Sequence, residues 1–195
     1  MTDATPKLVD SHAHLDNSRF AEDLEAVILA AQTAGVRYIL SIGCDLPSSV
    51  TNVDLACRYE PLYAAVGFHP HDATELDDNA LEQLRQLVQQ PKVVAVGEIG
   101  LDYYRNRAPH DIQKQAFRRQ IQLAREVSKP VIIHDRDAHE DVLTILAEEK
   151  ATDVGGVLHC FSGDLSMAHR CIDMGFYLSF TGAITYPKNT EVRAM

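Results

Sequence analysis

The chain has 195 residues, enough for one domain with a sizeable core or for two small ones. Hydrophobic residues make up 46% and charged residues 24%, which excludes a disordered, collagenous or disulfide-scaffold chain. With 18 Lys+Arg against 28 Asp+Glu the formal charge is −10, so any nucleic-acid substrate must be met by a local patch or by bound cations.

The elements alternate along the chain. A short first strand, 8–10, leads to a helix over 20–34 that places Leu24, Val27, Ile28 and Ala31 on one face and stops at Gly35. A strand at 38–42 precedes a shorter helix at 49–59, and a strand at 62–68 precedes a helix at 80–90 built on Leu81, Leu84, Leu87 and Val88. The run 93–98 is followed by a helix at 111–127 that ends before Lys129 and Pro130. Strands at 131–134 and 156–161 precede helices at 138–149 and 165–174, and a seventh strand covers 176–180. Repeated βα units predict an α/β fold with a parallel sheet, either doubly wound and open or a TIM (β/α)8-type barrel. The whole of 1–195 reads as a single domain, with no linker or low-complexity tract. Residues 1–7 hold no apolar leader, and no run approaches a membrane span. Cys44, Cys57, Cys160 and Cys171 form no C-x-x-C pair and read as free buried thiols of a reducing, cytoplasmic setting.

The polar residues at strand ends favour the barrel. Asp10, His12 and His14 follow strand one, His69 follows strand three, and Glu98, His134 and His159 end strands four, five and six. A barrel brings all these ends to one mouth, whereas an open sheet spreads them apart. Only about seven strands are present, so the barrel is expected to be incomplete at its C-terminus and the chain to be a piece of a longer one. His12 and His14 stand two apart on an extended segment and face one side, as two ligands of one metal would. An isolated H-x-H pair also arises by chance, and a lone histidine ending an apolar strand is often a satisfied core residue. Glu98, flanked by Gly97 and Gly100, reads either as a surface acid at a turn or as a buried carboxylate that needs a cation. Taken together, four histidines and Glu98 at one mouth suit one or two divalent ions such as Mg, Mn or Zn, and hence a hydrolase. No G-x-S-x-G elbow, Rossmann glycine motif or P-loop competes with that reading.

The segments Leu8-Val-Asp-Ser-His-Ala-His-Leu-Asp16, Gly67-Phe-His-Pro-His71, Gly97-Glu-Ile-Gly-Leu-Asp-Tyr103, Pro130-Val-Ile-Ile-His-Asp-Arg-Asp-Ala-His-Glu140 and Leu158-His-Cys-Phe-Ser-Gly163 resemble, in order, those of the TatD family of metal-dependent hydrolases in the amidohydrolase superfamily. The resemblance implies that His12 and His14 bind a first metal, that Glu98 bridges two divalent ions, and that His134 and His159 bind the second. It also implies that His69 lines the pocket, and Arg136 could meet a substrate phosphate unless it pairs with Asp135, Asp137 or Glu140. The family's Glu-Thr-Asp-x-Pro segment on strand eight is absent from this sequence. The implied activity is a deoxyribonuclease of the 3′-5′ exonuclease type, acting on DNA as single strands or 3′ ends. The alternatives are an amide or ester hydrolase such as a D-aminoacyl-tRNA deacylase, and a non-catalytic remnant that self-associates through open strand edges.

Overall fold

The computed structural model describes residues 8–194; the segment 1–7, read above for the absence of a leader, lies outside the described residues. Seven strands form one parallel sheet in chain order: β1 (Leu8–Ala13), β2 (Val36–Ile42), β3 (Leu62–Val66), β4 (Val93–Asp102), β5 (Val131–Arg136), β6 (Gly156–Leu158) and β7 (Phe176–Leu178). Helices α1 (Leu24–Thr33), α2 (Leu46–Arg58), α3 (Asp78–Leu87), α4 (His110–Glu126), α5 (His139–Glu148) and α6 (Leu165–Asp173) return the chain between strands, and a short α7 (Thr190–Ala194) follows the last. This is the curl of an incomplete TIM-type barrel, as expected. Among the described residues, no helix is long and apolar enough to cross a membrane.

Two apolar layers hold it. Between sheet and helices lies the larger one, with Phe117, Ile121, Leu84, Ile99 and Ile133 buried together. The second consists of Ile42, Ala65, Ala95 and Ile132, with Leu40 and Val157 against it, from five successive strands. A cavity of about 470 Å³ reaches across the strands past Ser11, Leu40, Ala95, Ile132, Val157 and Tyr177.

Local differences from the sequence reading have physical causes. α2 begins three residues before the expected 49, because Asp45 caps it: its carboxylate accepts from Ser48 N at 2.7 Å, and Pro47 suits a first turn that has no donor to lose. β4 runs to Asp102 rather than stopping at 98, and nine of its ten residues are buried. The glycines beside Glu98 are therefore not turn residues. Gly100 has φ +141°, and a Cβ there would lie 2.0 Å from the His134 carbonyl oxygen, so glycine permits the close approach of β4 to β5. Cysteine burial is mixed: Cys171 is buried, Cys57 is exposed on α2, and Cys44 and Cys160 are intermediate, all as free thiols.

Candidate metal centre

The strand ends converge. His12 lies inside β1, with Nε2 3.4 Å from Oε2 of Glu98. From β5, His134 Nδ1 lies 2.9 Å from Glu98 Oε1. The His159 ring, just beyond β6, stacks on His12 with centroids 3.4 Å apart. His69, after β3, has its ring centroid 4.3 Å from that of His134. Ligand-capable atoms fall into three groups, each within 4.8 Å: His12, Glu98 and His159; His14, Cys44 and Glu98; His69, Glu98 and His134. Glu98 is common to all three and only 4% exposed.

The protonation pattern suits a cation. Burial works to raise the Glu98 carboxyl, but the imidazoles of His12 and His134 outweigh it and hold it well below the ordinary range, so it is anionic. Burial lowers His159 to about 4 and His69 to about 3, leaving both rings neutral. At His134 burial works downward, yet Glu98 and Asp102 beside it leave the net shift upward. Burial pushes the Cys44 thiol up, so it is a neutral S–H. His14 donates Nδ1–H to the Ile42 carbonyl at 3.2 Å, which turns its Nε2 to the other side of the ring as the ligand-capable nitrogen.

Both ring nitrogens of His12 and Nδ1 of His159 are buried without a hydrogen-bond partner. Buried polar atoms are rarely left so, and a cation beside the anionic carboxylate would take a nitrogen lone pair from each of these rings. These residues fit a divalent ion. His69 is differently placed: its Nδ1 accepts from His71 N at 3.1 Å, which puts its proton on Nε2 and makes it a donor.

Sequence reasoning missed Asp102. This carboxylate is 1% exposed and accepts from Nε2 of His134 and Nε2 of His71, each at 3.0 Å, and from Arg105 N at 2.7 Å. It thereby fixes the far nitrogen of His134 and turns Nδ1 toward Glu98. The signal was available in Gly97-Glu-Ile-Gly-Leu-Asp102, four residues beyond Glu98, once β4 is read as continuing. Cys44 beside His14, with Sγ 3.8 Å from Nδ1, was missed too, because only the fold brings the end of β2 to the end of β1. Cys160, beside His159 in the segment read as part of a strand at 156–161, sits past the end of β6 in the left-handed region at φ +49°, its Sγ 3.1 Å from Thr181 Oγ1. Arg136 pairs with none of its acidic neighbours among the described residues; its guanidinium lies over the Tyr104 ring, 4.0 Å from the centroid.

Two buried glutamines of α4 hold the loops that carry these groups. Gln113 accepts from Asp102 N at 2.8 Å and donates to the Ala108 carbonyl at 2.8 Å. Gln120 accepts from Phe68 N at 2.7 Å and donates to the Phe68 carbonyl at 3.1 Å, one residue before His69. Ser41, Asn52 and Asp16 form a third link behind β1, with Leu15 N donating to Ser41 Oγ at 3.1 Å.

Known proteins agree with this architecture. The solved structure of YJJV, a TatD homolog from Escherichia coli K12, superposes with a TM-score of 0.90 at 36% identity, over 96% of this chain and 73% of that one. The uncharacterized metal-dependent hydrolase YabD of Bacillus subtilis is 47% identical over 184 residues, which are 94% of this chain and 72% of YabD. The 3′-5′ ssDNA/RNA exonuclease TatD of Salmonella typhimurium is 37% identical over 175 residues, 90% of this chain and 67% of that protein. The family described as TatD related DNase matches residues 9–195, and the chain belongs to it: it is a member of the TatD family of metal-dependent hydrolases.

Proposed function

We propose that the protein hydrolyses phosphodiester bonds of nucleic acid, as a 3′-5′ exonuclease on single-stranded ends. In this reading His12, His14, His134 and His159 would hold one or two divalent ions together with Glu98, with Mg, Mn or Zn as the candidates. The observation that carries it is the meeting of imidazoles from β1, β5 and β6 at one buried carboxylate, with the His12 and His159 nitrogens unpartnered. The Salmonella relative named for exonuclease activity supports the choice of substrate. When bound, divalent cations supply Lewis acidity toward water and the phosphoryl oxygens.

The chain's own groups do the rest. Glu98 brings negative charge to the centre and stays ionised there. His69, neutral and protonated on Nε2, donates a hydrogen bond to a phosphoryl oxygen without adding charge. Asp102 keeps the His134 ring turned toward Glu98. Arg136 offers its guanidinium fork to a phosphate. The −10 charge suits short or single-stranded ends better than wrapping a duplex.

The test is a time course on a labelled single-stranded DNA oligonucleotide with Mg, Mn or EDTA, beside His134→Ala. Stepwise shortening with metal is expected, none with EDTA, and a rate at least about 100-fold lower in the variant. An oligonucleotide left intact by the protein in both metals would overturn the proposal.

A further inference from the structure

The acidity of the chain means that a polyanion is met by bound cations or by a local cationic patch, and the structure holds such a patch beside the candidate centre. The arginines of α4 and α6 are neutralised. Arg118 pairs with Glu148 and Glu149, Arg119 with Asp78, Arg125 with Asp153, and Arg170 with Glu140. At the mouth, Arg105 and Arg136 have no ion-pair partner among the described residues, and both are exposed. Both lie against one aromatic ring: the guanidinium carbons of Arg136 and Arg105 stand 4.0 Å and 5.6 Å from the Tyr104 centroid.

Tyr104 itself has no structural task that explains it. Its neighbour Tyr103 stacks on His110 at 3.7 Å and donates its hydroxyl to Asp141 at 2.7 Å. Tyr104 stands 58% exposed instead. Its position is nevertheless fixed. Tyr103 N donates to the Arg136 carbonyl at 2.9 Å, and Arg105 N to the Asp102 carboxylate at 2.7 Å, so the residues on either side of Tyr104 are pinned. Asp102 is in register with Arg136 across β4 and β5. Arg136 follows His134 by two residues on the same strand face, about 6.6 Å along it.

We infer that Tyr104 and Arg136 form a subsite for the nucleotide adjoining the scissile phosphate of a single-stranded polynucleotide. The unstacked base extends the layer made by the Tyr104 ring and the Arg136 guanidinium, and the phosphates of the same strand take up the charge of Arg136 and Arg105. A duplex keeps its bases stacked inside and cannot use this layer. The inference rests on the phosphodiesterase reading and names the residues that would hold the base next to the scissile phosphate.

Binding of a fluorescent single-stranded DNA ten-mer and of the matching duplex is measured by anisotropy, with calcium as the divalent ion and across a salt series. Tyr104→Ala is expected to weaken single-strand binding about tenfold and duplex binding by less than about twofold. Tyr104→Phe, which keeps the ring, restores single-strand binding. Arg136→Gln lowers the slope of log K against log salt by about 0.7 for the single strand. Tyr177→Thr, an exposed tyrosine on β7, is the control and leaves binding as it was. Unchanged single-strand binding in Tyr104→Ala, or an equal loss on the duplex, overturns the subsite. Cleavage by the unaltered protein in Mg is followed separately: its absence overturns the exonuclease reading, while ring-dependent single-strand binding upholds the subsite by itself.

Discussion

The middle of the sheet and its edges are built differently, and the candidate centre draws on both. In the middle, β4 is paired on both sides, and the His134 ring stands between two carboxylates, with Nδ1 2.9 Å from Glu98 and Nε2 3.0 Å from Asp102. At the edges, β1 exposes Leu8 and Val9, and Tyr177 of β7 is 79% exposed. Among the described residues, the buried ring nitrogens that lack partners belong to the outer side, to His12 on β1 and His159 past β6. The central half of the centre is oriented by protein alone. The outer half is left for a ligand to satisfy, so bound divalent ions should stabilise it most.

That contrast breaks first at Glu98. Glu98→Gln removes the one anion shared by all three ligand groups. Its loss of oligonucleotide cleavage should exceed the roughly 100-fold typical of an outer partner, with metal content of the purified protein falling in parallel. Elemental analysis beside the time course checks this. Retention of wild-type metal content would place the ions elsewhere.

Asp102→Asn sharpens the comparison with a smaller effect. The amide can still accept from His134, but without the carboxylate charge that holds both rings. Metal affinity by calorimetry should fall about 10- to 100-fold, with little change in the far-UV spectrum. The smallest effect belongs to the edge. Tyr177→Thr keeps strand propensity and removes an exposed ring, so its stability should stay within about 0.5 kcal/mol by denaturant melting. A larger loss would mean that the β7 edge is covered in solution.

Much of this was legible in the sequence. The apolar runs of β3, β4 and β5 announced those strands because strands buried on both faces are nearly all Val, Ile, Leu and Ala. His12, His14, Glu98, His134 and His159 stood out because polar groups are costly at the ends of such runs. What stayed hidden depends on contacts between elements. Gln113 and Gln120 look like any polar residues of an amphipathic helix, yet they face inward and hold strand-end backbone. Asp102 was passed over because glycines at 97 and 100 suggest a turn, whereas they let β4 press against β5. The early start of α2 was masked by Pro47, which breaks a helix interior but opens a first turn.

The sharing of Glu98 has a thermodynamic consequence. One carboxylate, with two oxygens, is shared by three groups of ligand-capable atoms. Ions entering any two of these sets are linked: whatever the first does to the orientation of Glu98 alters the affinity met by the second, and the second alters the first by the same factor. If two ions enter, a metal titration of this protein would be a cooperative isotherm rather than the sum of independent ones, with the occupancy of the centre tracking the free ion concentration more steeply, or more shallowly, than either set would alone.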